Sequence, residues 1–351
     1  MLHHFRANLC LLFFTLVLCS VAYPLSLWAV GHTVFCHQAD GSLLTGADKH
    51  LVGSRLIAQP FGGDEYFQPR PSATSPSPYN AAASGASNLA ANNPKLRGRV
   101  AQQLGTMVRY ESADGPGKGG LVGDDVEKWF QSENSPKKGD KRRDLTAEWA
   151  STYSSLVAGW ATSSDEIGNF VKEWSRAHPG VSAEWKKKKP DATGDPKPED
   201  LAPFLFDSSI ADSFVRVHPG MWPCTVEEPK DGKKVKVVKP DNQGDEIRSY
   251  FFDLWLQEHP GARIEKVPAD MVMTSASGLD PHITLKNAHY QLERVAAKWA
   301  ENTKRDPGQV KAEIKKLLDE NAAAPLGGLA GQPLVNVLEV NLELVARMKA
   351  K

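Results

Sequence analysis

Asp280 and His282 stand two residues apart, just after Gly278. A carboxylate beside an imidazole is the smallest pair that can pass a proton. The same residues also read as a turn, because Asp280 precedes Pro281 and its side chain can bond the backbone two residues on. Arg70, just before Pro71, carries a planar guanidinium suited to a carboxylate, on a partner or on its own domain. Three His-Pro-Gly tripeptides occur, at His178, His218 and His259. The first and last follow a tryptophan four residues upstream, the pattern of a helix that packs by its Trp and stops before Pro-Gly. A set of metal ligands would need acidic or cysteine partners at fixed spacing, and none is present.

Other chemistries lack their residues. Gly115-Pro-Gly-Lys118-Gly-Gly has no hydroxyl residue to hold magnesium, and neither GxSxG nor HExxH occurs. The four cysteines are Cys10, Cys19, Cys36 and Cys224, with no CxxC pair. Only Cys36 and Cys224 lie outside an apolar run and could form one isolated disulfide. A formal net charge of zero over 351 residues excludes a broadly basic, nucleic-acid-binding surface.

The polar residues must be positioned by unusual elements. Residues 53–94 are rich in Gly, Pro, Ser and Asn, which forbids a long helix. Phe61, Tyr66, Phe67 and Tyr79 are large anchors that a solvated linker would not need. We expect a long ordered loop, held by these rings and by side-chain-to-backbone bonds from Ser72, Asn80, Ser84, Ser87, Asn88 and Asn92. Long ordered loops in compact domains tend to be functional. A second segment of the same character spans residues 267–282.

Ahead of both lies an uncharged run from Ala7 to Gly31. As a helix it would be about 37 Å long, enough to cross a bilayer with some tilt. Pro24 is tolerable in such a helix, and Tyr23 and Trp28 suit its interface as anchors. Ser20-Val21-Ala22 resembles a signal-peptidase site, but the apolar run continues beyond it, so a retained anchor is expected. The short tail with Arg6 then stays in the cytoplasm and the bulk of the chain outside.

Helical spacing is expected over Leu96–Arg109, Leu145–Trp160, Ile167–Ala177, Ile247–Glu258, Asn287–Trp299 and Pro307–Asn321. Asp306 can cap the last of these. Val335 to Leu344 alternates, with Leu338, Val340, Leu342 and Leu344 against Glu339, Asn341 and Glu343, and predicts a half-buried strand. Residues 111–246 have their own texture, with Lys137-Lys138, a run at Lys186 to Lys189, Pro/Gly breaks and scattered tryptophans. The lysines predict a solvated face, with anionic lipid as a partner if they lie near a membrane. From the residues alone, this is a membrane-anchored interaction subunit more than an enzyme.

The chain resembles the KdpC family, the C subunit of the Kdp-type ATP-driven potassium transport complex. The resemblance is carried by Tyr23-Pro24-Leu25, Gln38 to Leu43, Gly53 to Gln59, Tyr66-Phe67, Arg70 to Ala73, Tyr79-Asn80 and Ser84 to Leu89. It resumes at Val267-Pro268, Thr274 to Ile283, Gln291 and Arg294 to Ala296, and closes at Gly331 to Pro333 and Val335 to Leu342. Ala58 and Ala86 stand where the family usually has glycine. Residues 111–246 look like an insertion into a normally short helical connection.

The resemblance implies an α+β extracytoplasmic domain with one N-terminal transmembrane helix and a helical insertion in the middle. The expected divisions are a tail (1–6), the span (7–31), a KdpC-like domain (32–110 and 247–351) and the insertion (111–246). It implies an accessory, non-catalytic subunit in the bacterial inner membrane, partnering a potassium-channel-like subunit and a P-type ATPase subunit. ATP enters at the level of the complex, through a catalytic-chaperone role that raises ATP affinity of the hydrolysing subunit. Docking is expected through Arg70, Ser72, Asn80, Ser84, Asn88, Asp280 and His282, and membrane contact through Tyr23, Pro24 and Trp28. Two rivals are a cleaved, soluble periplasmic binding module with a tryptophan-lined groove, and an extracytoplasmic enzyme using Asp280 and His282.

Overall fold

The computed structural model describes residues 2–46, 49–115, 117–132, 141–163, 165–191, 194–201, 208–230, 232–329 and 331–349. The chain forms two compact units, residues 1–88 with 267–351, and residues 89–266.

The first unit begins with an apolar helical run, His3–Val34, with mean hydropathy 2.1 and none of its most apolar stretch buried. Among the described residues it is the one helix long and apolar enough to cross a membrane. It is α-helical over Leu2–Val17, opens into a π-helical turn over Leu18–Ala22, and resumes over Tyr23–Val34. Pro24 explains the change, since it has no N–H to donate backwards and its ring crowds the preceding turn. A wider π turn removes that conflict without breaking the helix.

A short helical turn, Cys36–Ala39, leads into an antiparallel hairpin of Leu43–Thr45 and Leu51–Ser54. The rest of this unit pairs strand His282–Thr284 with Leu334–Asn336, antiparallel, beside helices Leu285–Thr303, Pro307–Asn321 and Val337–Lys349. Thr284 accepts from the Asn287 amide and Asp306 from the Gln309 amide, so both preceding helix starts are capped as their sequence suggests. Ile283, Leu292, Val295, Ile314, Leu317, Val335, Val340 and Leu344 build the core.

The expected strand over Val335–Leu344 is corrected. The strand ends at Asn336, whose Oδ1 accepts from the Leu338 and Glu339 amides and starts a helix. Val337, Asn341, Leu344 and Met348 are buried along that helix at spacings of one turn. A polar Asn341 on the buried face disguised the helical period as an alternation.

In the second unit, helix Asp245–Glu258 packs on Pro94–Met107 and on Val122–Ser132. Their backbones touch at glycines: a Cβ on Gly105 would lie 2.1 Å from the Arg248 carbonyl oxygen, and one on Gly123 2.8 Å from that of Gly105. The expected helix over Leu145–Trp160 is instead two, Lys141–Thr152 and Ser154–Ser163. At the junction Thr152 bonds back to the Glu148 carbonyl, and the Tyr153 amide donates to that of Trp149. The expected piece over Ile167–Ala177 is the Asp165–Ala177 helix.

This region is also not purely helical. Trp222–Lys230 and Lys233–Asp241 form an antiparallel hairpin whose turn places Gly232 at φ 74°. The alternating Lys233–Lys239 run after Asp231-Gly232 carried that signal. Trp149, Trp222 and Phe251 pack edge to face, with ring centroids 6.4 and 4.7 Å apart in successive pairs. Lys186, Lys188 and Lys189 close the Pro179–Lys188 helix in exposed ion pairs with Asp195, Glu184 and Asp200. Lys137-Lys138 lies outside the described residues.

Candidate functional site

The long loop is held from behind by side chains of two helices. Asn341, 1% exposed, accepts from the Phe67 amide at 2.9 Å and donates to its carbonyl at 2.9 Å. Gln291 treats the next residue alike, accepting from the Gln68 amide at 2.8 Å and donating to its carbonyl at 3.0 Å. Each carboxamide therefore does what a neighbouring strand would do, satisfying both backbone groups of its partner, the buried Phe67 in one case and the half-buried Gln68 in the other. Arg294 donates to the carbonyls of Asp64 and Tyr66, and Trp299 Nε1 to that of Glu65. Burial pulls the Arg294 guanidinium below its ordinary pKa, against the opposing pull of Asp64 and Glu65. With its backbone satisfied, Phe67 inserts its ring into the core.

The second polar segment lies directly on the first. The Ala58 amide donates to the Leu279 carbonyl, the Gly85 amide and Ser84 Oγ to that of Ser277, and Ser72 Oγ to that of Gly278. Gly278 sits at φ 69°, and a Cβ there would come within 2.7 Å of Thr74 Cγ2 and 2.8 Å of the Gly85 carbonyl oxygen. Only glycine combines that backbone with that approach. Ala58 and Ala86 are not among the positive-φ residues, so an alanine at these places needs no left-handed backbone.

The residues singled out from sequence divide by what they touch. Arg70 donates to the Met273 and Thr274 carbonyls and lies 3.9 Å from Asp280. Ser72 Oγ also accepts from the Tyr79 amide, while the Tyr79 hydroxyl, pushed to about 12 by burial, donates to the Arg70 carbonyl. Asn80 caps the short turn Ala81–Ala83 by accepting from the Ala82 amide. These three hold the loop. Ser84 and Asn88 are exposed, and Asn88 is left-handed at φ 50°. Tyr23, Pro24 and Trp28 all lie on the apolar helix.

Asp280 accepts from both the backbone amide and Nδ1 of His282, the latter at 2.9 Å, so turn and pair are one structure. Burial would raise the Asp280 pKa, but His282 and Arg70 outweigh it and the net direction is down. His282 opens onto a shallow cleft bordered by Arg55, Asn321, Asn336 and Glu339, with no Ser, Thr, Cys or Tyr among the described lining residues. The geometry therefore positions a carboxylate–imidazole pair with no hydroxyl or thiol to activate among the described residues lining the cleft.

Elsewhere, His178 and His259 each stack on the tryptophan four residues back, at 4.5 and 4.4 Å, with Nδ1 donating to its carbonyl. These histidines cap helix ends. No group of three or more His, Cys, Asp or Glu side chains able to hold a metal occurs among the described residues. Cys36 and Cys224 are both free; burial, then Glu246 and its acidic neighbours, push the Cys224 thiol to about 12.

Sequence reasoning missed the clamps Asn341, Gln291, Arg294 and Trp299. The available signal was a carboxamide on the apolar face of each helix, which has to find a buried partner.

The family model described as the c chain of the K+-transporting ATPase, KdpC, matches residues 5–118 and 245–346, more than half of the chain. A potassium-transporting ATPase KdpC subunit of Allorhizobium ampelinum is 46% identical over 116 residues, 33% of this chain and 60% of the relative. That of Pectobacterium atrosepticum is 45% identical over 109 residues, 31% of this chain and 54% of its own. That of Cronobacter sakazakii is 50% identical over 91 residues, 26% and 47%. The chain spans about half the length of the curated relatives it matches.

Proposed function

This chain belongs to the KdpC family, the c chain of the K+-transporting ATPase, and from that premise we propose that it is the accessory subunit of a high-affinity, ATP-driven potassium transport complex. Its partners are then a potassium-channel-like subunit and a P-type ATPase subunit. In this reading the hydrolytic site belongs to the ATPase subunit, and this chain is its non-catalytic partner. Its apolar N-terminal helix anchors it in the inner membrane, with the short tail ahead of the helix in the cytoplasm and the residues beyond it on the extracytoplasmic side. The observation that carries the reading is the family match on both sides of residues 119–244.

The two polar loops are the docking surface in this proposal. Arg70, Ser72 and Asn80 hold its shape, and Ser84, Asn88, Asp280 and His282 present it to the channel-like subunit. A loop pre-ordered by Phe67 and Tyr79 loses less entropy on docking. Raised ATP affinity of the hydrolysing subunit would then be transmitted through the assembled complex. The glycine-rich run 115–120 leads into helix Val122–Ser132, but Asp124 and Asp125 in the first turn of that helix repel a phosphate, so direct nucleotide contact is not part of the proposal.

The test is co-purification of the transport subunits with tagged variants. Ser84→Arg with Asn88→Arg should abolish co-purification and growth on limiting potassium while lowering the melting temperature of the purified chain only slightly, because Ser84 gives up its bond to Ser277 and Asn88 a left-handed backbone that asparagine tolerates. Normal assembly of that variant would overturn docking through these loops.

A further inference from the structure

The hairpin that follows the membrane helix has an inner and an outer face. On the inner face, Gly53 lies against Leu338 and Gln59, 3.2–3.4 Å from where a Cβ would be. Leu43 is 44% exposed and Leu51 61%, and just beyond the second strand Leu56 is 60% exposed. Leu43 pairs across with Ser54 and, past a bulge in the register, Leu51 with Thr45; Leu43 and Thr45 share a side of their strand, so the bulge brings Leu51 to the side of Leu43. Three exposed leucines on so small an element form a patch with a purpose, where scattered single ones would not.

The hairpin is also rigidly joined to the helix end. Only Phe35 to Ser42 separate them, and that connection is hydrogen-bonded throughout. The Phe35 amide donates to the Gly31 carbonyl, the Ala39 amide to that of Phe35, and the Ser42 amide to that of His37. Ser54 Oγ and the Arg55 amide then return to the Gly41 and Ser42 carbonyls. The turn folds back on the helix, with Ala39 Cβ 3.7 Å from a Cβ position on Gly31. Val34 and Phe35, 65% and 52% exposed, extend the apolar surface from the helix toward the patch. Each interfacial layer beyond the hydrocarbon core is only about 5–8 Å thick. A hairpin tied this closely to the helix end stays at that depth. Its tip carries Lys49, whose amide closes the turn onto the Gly46 carbonyl, and Lys49 is exposed.

The geometry points to a lipid-facing surface: Leu43, Leu51 and Leu56 rest in the interfacial layer of the same bilayer that the N-terminal helix crosses, with Lys49 among the anionic headgroups. Apolar side chains at this depth bury area in the acyl boundary, and a cation beside them adds attraction to acidic lipid. The contact fixes the tilt of the domain over the membrane independently of any partner subunit.

The test uses the full chain in phosphatidylcholine–phosphatidylglycerol nanodiscs. Leu51→Cys, in a Cys10→Ala, Cys19→Ala, Cys36→Ala background, is labelled with an environment-sensitive fluorophore. Ala82→Cys, on an exposed turn, is the aqueous reference. Lipids with a nitroxide near the headgroup should quench the Leu51 label severalfold more than the Ala82 label, while aqueous iodide shows the reverse order. Changing Leu43 and Leu56 to Ser should at least halve the lipid quenching. Equal iodide access at both positions overturns the proposal. So does a Leu51 label that is shielded only when the transport subunits are co-reconstituted, which would assign the patch to a protein partner.

Discussion

Replacing Asn341 by Leu keeps nearly the same volume in the core and removes both bonds to Phe67. The Phe67 amide and carbonyl, each now bonded at 2.9 Å, would be left buried without a partner. Each such group costs about 1–3 kcal/mol, so the total is about 2–6 kcal/mol. For a unit of this size that lowers the melting temperature by about 4–24 °C. The assay is thermal unfolding of the full chain in detergent, with limited proteolysis scanned over residues 56–88. The loop should become cleavable well below the melting temperature, because its anchor fails first. Asn341→Asp sharpens the test. Its carboxylate can accept from the Phe67 amide, but only the protonated acid can donate to the carbonyl. Burial and that donation raise its folded pKa above the unfolded value of about 3.9. The deficit against the parent protein should be small near that pH and widen as pH rises through the folded pKa. An unchanged melting temperature and intact protease protection in Asn341→Leu would refute the view that the clamp orders the loop.

Gly278→Ala should destabilise the first unit by about 2–4 kcal/mol, since it adds a left-handed backbone penalty to an overlap with Thr74 and the Gly85 carbonyl; chemical denaturation measures it. Two carboxyls, one in each unit, should contribute oppositely to the pH dependence of stability. The lowered pKa of Asp280 gives the first unit stability that is present above about pH 4 and lost as pH falls through the folded pKa, and His282→Ala should flatten that acid limb in a pH series of unfolding curves. Glu246, raised first by burial, gives the second unit stability that is present at low pH and lost as pH rises through its folded pKa; Glu246→Gln should therefore raise the melting temperature at pH 8 and remove the slope. Protease added to intact spheroplasts should digest everything beyond the N-terminal helix, and full protection would mean the opposite orientation.

Several features were legible in the residues because a local pattern sufficed. An unbroken apolar run announced the N-terminal helix. Asp306 and Pro307 marked a helix start, and the helix runs Pro307–Asn321 as they indicated. The aromatic plugs in a Gly/Pro/Ser segment signalled order, and ordered blocks at both ends carried the family. Other features were decided only by tertiary structure. Asn341 reads as a polar interruption until Phe67, far away in sequence, supplies the backbone groups it pairs with. The same polar residue turned a helical stripe into an apparent strand. Arg70 and Ser72 carry side chains that could bind a partner, yet their bonds go to Met273, Thr274 and Gly278. A side chain's type fixes how many hydrogen bonds it can make. Where those bonds go depends on which distant backbone the fold brings within 3 Å or so, and no local pattern encodes that.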